Sequence, residues 1–398
     1  MKILNFYYFR QKYDLPLKIL LLLNIALIAS CFCCYAQTPN PDNTTSKVDH
    51  TYITARYMGG LVIPHHKTML YFIDDFASGF EINYGLRKFD RNSWQAFFNY
   101  PEIGIGFYHG TFGNKEIYGT GYAIFPYIQY NVFRTQRLSI NNKVSMGLGY
   151  ASKPFDLQDN SYNMIFSTHL NIYIGLGLSV DYRISDRISA SMSGDLTHMS
   201  NGAAKKPNHG VNVVSVGLGT KYHFNKNLTP TINKTQPNKL KERELLIVGS
   251  IGRSQSSIYN PNKFWNSSIN VNYIWHLNEK RGIGIGLDQI YSEAIPYAWE
   301  EVENINELQS FSTKDCFVTG VFASYNVYLG KMNLFTNLGL YIKHNVSPPQ
   351  PIYPRLGVRY PILPNLIGNF SVKASFFRSE FIEFGLGYRL KYSKQKKS

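Results

Sequence analysis

His198 and Ser200 stand two residues apart in the stretch 196-LTHMSNGAAKKPNHGVN-212. A serine hydroxyl is a weak nucleophile until a base within hydrogen-bond reach takes its proton, and imidazole suits that task near neutral pH. Such sites usually contain a polar group that fixes the imidazole tautomer and N–H donors that stabilise a developing oxyanion. Asn201, with Gly202 beside it, follows the serine and is placed to donate; Asn212 begins the next apolar segment. Together these residue types suggest ester hydrolysis through an acyl-serine.

Which elements position them depends on the rest of the chain. Hydrophobic residues make up 44% of it, yet the mean hydropathy is −0.22, and 30 Tyr and 26 Phe bring aromatics to 15%. After the N-terminal region no apolar run approaches the roughly 20 residues a membrane-spanning helix needs. Segments of period two recur instead, near 51–62, 78–88, 102–112, 118–133, 138–152, 168–184, 188–200 and 211–224. They resume near 244–256, 265–277, 281–293, 315–330, 332–344, 353–363, 366–378 and 380–392. Alternating strands with many aromatics predict an all-β fold, an antiparallel transmembrane outer-membrane β-barrel. The glycines of 102-EIGIGF-107, 172-IYIGLGL-178 and 282-GIGIGL-287 are spaced by two, so they read as an inner barrel wall and not as phosphate loops. Residues 225–243 break the rhythm as a linker between a first barrel region, 37–224, and a C-terminal strand region, 244–398. The segments 214-VSVGLGTKYHF-224 and 382-IEFGLGYRLKY-392 look alike, a weak internal repeat. Two small barrels or one larger barrel would satisfy this pattern; the expectation is one.

Residues 1–36 read as a signal peptide: Lys2, Arg10, Lys12 and Lys18 are basic, Ile19–Ser30 is apolar apart from Asn24, and Tyr35-Ala36 offers a cleavage site. Ile28-Ala29-Ser30-Cys31 is a second candidate, a lipoprotein cleavage box. Cleavage after Ala36 removes three of the four cysteines. Cys316 then stands alone, which excludes an intramolecular disulfide and a cysteine metal site. No histidine cluster has ligand-like grouping, so no metal or other cofactor is expected. Asp74-Asp75 and Asp156 with Asp159 read as solvated loop carboxylates. A net charge of +15 favours an anionic partner, and export points to a phosphate-bearing lipid surface rather than nucleic acid.

Strand parity gives the site its surroundings. In 188–200 the even positions Ile188, Ala190, Met192, Gly194, Leu196, His198 and Ser200 form the apolar, lipid-facing row. Asp195 belongs to the polar odd row. Asn212 extends the outward row of the next strand. Three polar groups at one lipid-facing rim are expected to partner each other, and the matching substrate is an ester in a membrane lipid. If the first strand rises from the periplasm, the 201–211 loop is extracellular, where Lys205 and Lys206 would meet the phosphates of lipopolysaccharide.

At these residues the sequence resembles the outer-membrane lipid A 3-O-deacylase family, also called acyloxyacyl hydrolase-like. The H-x-S-N signature stands as His198-Met199-Ser200-Asn201, and the P-N-x-G pattern as Pro207-Asn208-His209-Gly210. The resemblance covers roughly 50–225 and is tightest at 195–224. It implies an eight-stranded barrel in the outer membrane of a Gram-negative cell, with His198 as base, Ser200 as nucleophile and Asn201 as oxyanion donor. It also implies metal-free hydrolysis of an ester-linked acyl chain of lipid A. One departure stands out: where the family has Glu, twelve residues past the serine, this chain has Asn212. An inert site on a porin, structural or lipopolysaccharide-binding barrel is the competing reading.

Overall fold

Among the described residues the period-two segments become sixteen antiparallel strands. The computed structural model describes residues 50–393 apart from 65, 91–92, 226–235, 300–311, 349 and 376–377. Residues 1–36, read from the sequence as a signal peptide, and the middle of the linker lie outside the described residues. The first eight strands are β1 (His50–Val62), β2 (Ala77–Arg87), β3 (Glu102–Thr111), β4 (Thr120–Arg134), β5 (Leu138–Ala151), β6 (Leu170–Arg183), β7 (Ile188–Ser200) and β8 (Val211–His223). They pair in order, and β8 closes back on β1 from Tyr52↔His223 to Val62↔Val213. The second eight are β9 (Glu242–Ser254), β10 (Phe264–Asn278), β11 (Arg281–Ser292), β12 (Phe317–Leu329), β13 (Met332–His344), β14 (Ile352–Pro361), β15 (Leu366–Ser375) and β16 (Arg378–Ser393). These form a second closed barrel, in which β16 pairs with β9.

The expectation of one larger barrel is therefore corrected: the chain makes two. Once β8 has paired with β1, neither strand has an edge left for β9. The internal repeat is explained as well, because its two copies sit on β8 and β16, the closing strand of each barrel.

Inward positions carry polar and aromatic side chains, and the interiors are filled. In the first barrel Glu81 holds Arg56 at 2.7 Å and Lys143 at 2.5 Å, while Glu102 holds Arg87 at 2.5 Å and Lys221 at 2.8 Å. Above these pairs Phe112, Phe125, Tyr173, Ile165 and Phe166 form a buried cluster toward the β7–β8 end. Gly106 leaves the space that the Phe125 ring occupies: a Cβ there would lie 2.2 Å from it. In the second barrel Arg355 bridges Asp288 at 2.5 Å and Glu383 at 2.8 Å. Eight strands enclose room for side chains but not for an aqueous channel. The outer walls are apolar, with Tyr57, Leu61, Ile105, Ile124, Leu148 and Leu218 each more than half exposed. A belt of this kind is solvated by hydrocarbon, as in a transmembrane barrel.

The barrels stand side by side with the same ends aligned. At one end the β7–β8 loop meets the β9–β10 loop, where Gln255 N–H donates to Ala203 O at 3.0 Å. At the other end Lys280 Nζ donates to Phe97 O at 3.0 Å and lies 4.4 Å from the Phe98 ring centre. There Phe98 and Tyr130 also pack with Val327 and Leu329 of β12.

Candidate active site

Strand register assembles the site. In the β7–β8 ladder His198 lies directly opposite Asn212, and across β6 Ile174 and Ile172 lie beside His198 and Ser200. Inward residues Thr197, Met199, Val211 and Val213 are buried, so the intervening side chains project from the outer wall. A slip of one residue would turn the whole constellation inward.

His198 Nε2 lies 2.9 Å from Ser200 Oγ, and His198 Nδ1 lies 2.8 Å from Asn212 Oδ1. An amide oxygen only accepts, so the imidazole proton sits on Nδ1 and donates to Asn212. The Nε2 lone pair is then left to accept from the serine hydroxyl. This is the tautomer that a general base requires. The three side chains are half-buried and open toward the outside of the barrel.

The two short motifs fold onto one another. Asn201 N–H donates to Asn208 Oδ1 at 3.1 Å, joining H-x-S-N to P-N-x-G. The Asn201 amide nitrogen donates to Ser167 Oγ and to Lys205 O, each at 2.9 Å, and Asn201 is only 4% exposed. Its side chain therefore secures the loop after the serine. Asn201, the oxyanion donor expected from the sequence, has its amide and its backbone N–H engaged within the loop. Gly202, at φ +64°, is the other donor expected from the sequence.

Gly210 closes the motif pair and carries a role that the sequence reading did not assign. Its φ is +70°, and a Cβ there would lie 3.0 Å from His198 Cε1, Met199 O and Ser200 Cβ. Its N–H donates to Ile165 O at 3.1 Å, tying it to the β5–β6 connection. Gly210→Ala is strained twice, by backbone conformation and by contact with the pair itself. Serine-dependent turnover should fall about 10²-fold, the scale of a misplaced reacting group. The heat-modifiable electrophoretic shift of the folded barrel should remain. Unchanged turnover would show that the His–Ser geometry does not depend on this contact.

The two loop lysines part company. Lys205 is exposed, as expected of a residue facing a membrane surface. Lys206 instead turns into the junction between the barrels, and its N–H donates to Gln255 Oε1 at 2.9 Å. Burial, with Arg378 adding to it, pushes the Lys206 ammonium down to about 8. The acidic residues set aside in the sequence have structural partners. Asp195 faces the interior and accepts from Ser193 Oγ at 2.6 Å. Asp74 accepts from Asn114, and Asp75 from the N–H of Phe76. Asp156 caps its own turn, and the backbone N–H groups of Asp159 and Gln158 hold its carboxyl below the usual range. His209 stacks on His66 at 4.0 Å; His65 lies outside the described residues.

The arrangement suits acyl transfer from an ester presented at an apolar wall. Residues 79–221 match the family model described as lipid A 3-O-deacylase, and residues 243–392 the model described as acyloxyacyl hydrolase, C-terminal domain. Among solved structures, Neisserial surface protein A is similar at 16% identity and a TM-score of 0.27, over 44% of this chain and 95% of that one. The outer membrane enzyme PagL is similar at 12% identity and a TM-score of 0.21, over 44% of this chain and 98% of that one. A Rhodopseudomonas blastica porin is similar at 8% identity and a TM-score of 0.17, over 86% of this chain and all of that one. No curated relative matches the sequence.

Proposed function

This chain belongs to the lipid A 3-O-deacylase family, with one family model on each barrel, and from that premise we propose that it is an outer-membrane serine esterase that removes an ester-linked acyl chain from lipid A. The observation that carries the reading is the hydrogen-bonded run Asn212 Oδ1···His198 Nδ1 and His198 Nε2···Ser200 Oγ, at 2.8 and 2.9 Å on the outer wall of the first barrel.

His198 Nε2 takes the hydroxyl proton as Ser200 Oγ bonds to the ester carbonyl carbon. Gly202 N–H is assigned to the carbonyl oxygen as it gains charge. Collapse of the tetrahedral intermediate breaks the bond to the sugar oxygen, which takes the proton from the imidazolium. Water, deprotonated by the same nitrogen, then attacks the acyl-serine and releases the fatty acid. The lipid-facing wall explains how the reaction is supplied: the ester sits at the level of the rim while its acyl chain stays in hydrocarbon along the outer wall. The β7–β8 loop is assigned to the extracellular side, so the substrate lies in the outer leaflet.

A porin reading has less support, because paired charges and packed rings fill both barrels. The wild-type chain should remove the mass of one acyl group from lipid A, read by mass spectrometry of lipid A from cells expressing it. Unchanged lipid A, with the chain folded in the outer membrane and the ester present, would overturn the proposal in favour of a binding or structural barrel.

The second barrel is assigned a positioning role. Gln255, more than nine-tenths buried, holds the loop after the serine through Lys206 N–H, and its own amide is anchored on Ser257 O and Asn260 O. Gln255→Ala removes this link. The expected cost is about tenfold in kcat with little change in KM, the scale of one or two hydrogen bonds translated into loop placement. An equal loss in KM alone would instead mean that Gln255 contributes to substrate binding.

A further inference from the structure

Where the barrels meet beside the β7–β8 loop there is a cavity of about 220 Å³. The first barrel contributes Lys206 and the second Arg378, with Gln255, Ser256, Ser379 and Glu380 also on its lining. Lys206, partly buried, and Arg378, exposed, repel each other across this cavity, a cost that a bound anion offsets. One carboxylate oxygen of Glu380 is joined to Lys373, while Oε1 is buried without a protein partner and needs a hydroxyl donor, which a protonated phosphate oxygen supplies. The Ser256 and Ser379 hydroxyls are buried with no protein hydrogen-bond partner, and Ser256 is 6% exposed. Buried hydroxyls in this state need a ligand or water to bond. Two cations, two open hydroxyls and a volume of this size match a phosphate group, whose oxygens accept charge-assisted bonds from each.

We propose that this cavity is a phosphate subsite of the esterase: Lys206 of the first barrel and Arg378 of the second hold a phosphate on the sugar of the glycolipid while its acyl ester lies at Ser200. The assignment rests on the esterase reading given above, and it gives the second barrel a direct part in choosing the substrate. The cavity begins three residues past Ser200, through Ala203 and Lys206 of the same loop, so an anion held there is coupled through that loop to the residues that follow the serine.

The test is a binding measurement that does not depend on turnover. Full-length Ser200→Ala protein in detergent should bind lipid A carrying its phosphates at least about tenfold more tightly than chemically dephosphorylated lipid A, the scale of one or two charge-assisted hydrogen bonds. Adding Arg378→Gln or Lys206→Met should each remove most of that preference and leave affinity for the dephosphorylated form unchanged. The more conservative Arg378→Lys should keep part of it. Equal affinity for the two lipids overturns the proposal, as does a loss that falls on both alike. Inorganic phosphate that binds and is lost in the same variants, with no preference between the lipids, would assign the cavity to the free anion and overturn the substrate assignment. The outcomes also separate the two readings. Hydrolysis by wild type without phosphate preference sinks the subsite alone; phosphate preference without hydrolysis sinks the esterase alone.

Discussion

Ser200→Ala is expected to lower the rate of lipid A deacylation by about 10⁴–10⁶-fold, the cost of deleting the nucleophile of a serine hydrolase. The hydroxyl sits 2.9 Å from the imidazole Nε2 of His198, the base in the run. His198→Ala should cost a similar factor. The double variant should be scarcely slower than either single one, because the base has nothing to act on once the nucleophile is gone. That non-additivity is the sharp part of the prediction. Losses that multiply would mean that His198 and Ser200 act separately, for instance as substrate contacts. The measurement is lipid A mass spectrometry over a time course with matched amounts of folded protein. Residual hydrolysis within tenfold of wild type in Ser200→Ala would place the nucleophile elsewhere. Stability should hardly move, since the side chain is half-buried at a rim and, among the described residues, makes its polar contact with His198.

Much of this arrangement was legible in the sequence because strand parity is a strict rule. Every second side chain of a strand shares a face, so Met192, Leu196, His198 and Ser200 had to point one way and Ser193, Asp195 and Thr197 the other. Burial follows that division along β7. The sixteen strands were readable for the same reason. Closure was not, because it depends on which distant edges pair, and alternation is identical in one large barrel and two small ones. The repeat on β8 and β16 is compatible with either closure, so it did not decide between them. The loop after Ser200 was the least legible part. Asn201 stands next to the serine in sequence, yet the hydrogen bonds of its amide to Ser167 and Lys205 aim it into the loop. Lys206 looks like its neighbour Lys205, but a partner that enters 49 residues later, Gln255, fixes its backbone. Such contacts between loops of different barrels leave no periodic trace.

Those contacts bear on why a second barrel accompanies the first. The β7–β8 hairpin supplies base, nucleophile and tautomer-fixing amide from one pair of strands, so the catalytic run needs nothing from β9–β16. What the second barrel touches is the loop that follows: Gln255 on Lys206 and Ala203, and Ile382 against Gly202, where even a Cβ would lie 2.5 Å away. A site open to lipid on one side gains a protein wall on the other, at the end where a headgroup would lie.

Asn212 decides whether the missing carboxylate matters, and two substitutions should move the rate in opposite directions. Asn212→Leu removes the oxygen that now accepts from His198 Nδ1 at 2.8 Å. The imidazole then loses the partner that fixes its tautomer, and kcat should fall by about 10²-fold or more, within the range ascribed to a positioned general base. Asn212→Asp keeps the length of the side chain and the accepting oxygen but adds a negative charge. The charge stabilises the imidazolium that forms as Ser200 attacks, so the plateau rate should rise about tenfold, equivalent to about 1.4 kcal/mol of barrier. The sign of the pH effect follows from the same charge: a carboxylate favours protonated His198, so the acid limb of the kcat/KM profile should move to higher pH. Asn212→Glu carries the charge one methylene further from a position where Asn already reaches, and it should gain less than Asp. A hairpin-closing amide with no part in catalysis predicts something else: Leu and Asp would both lower the thermal stability of the barrel, and the pH profile would stay where it is. The position of that acid limb in Asn212→Asp separates the two accounts.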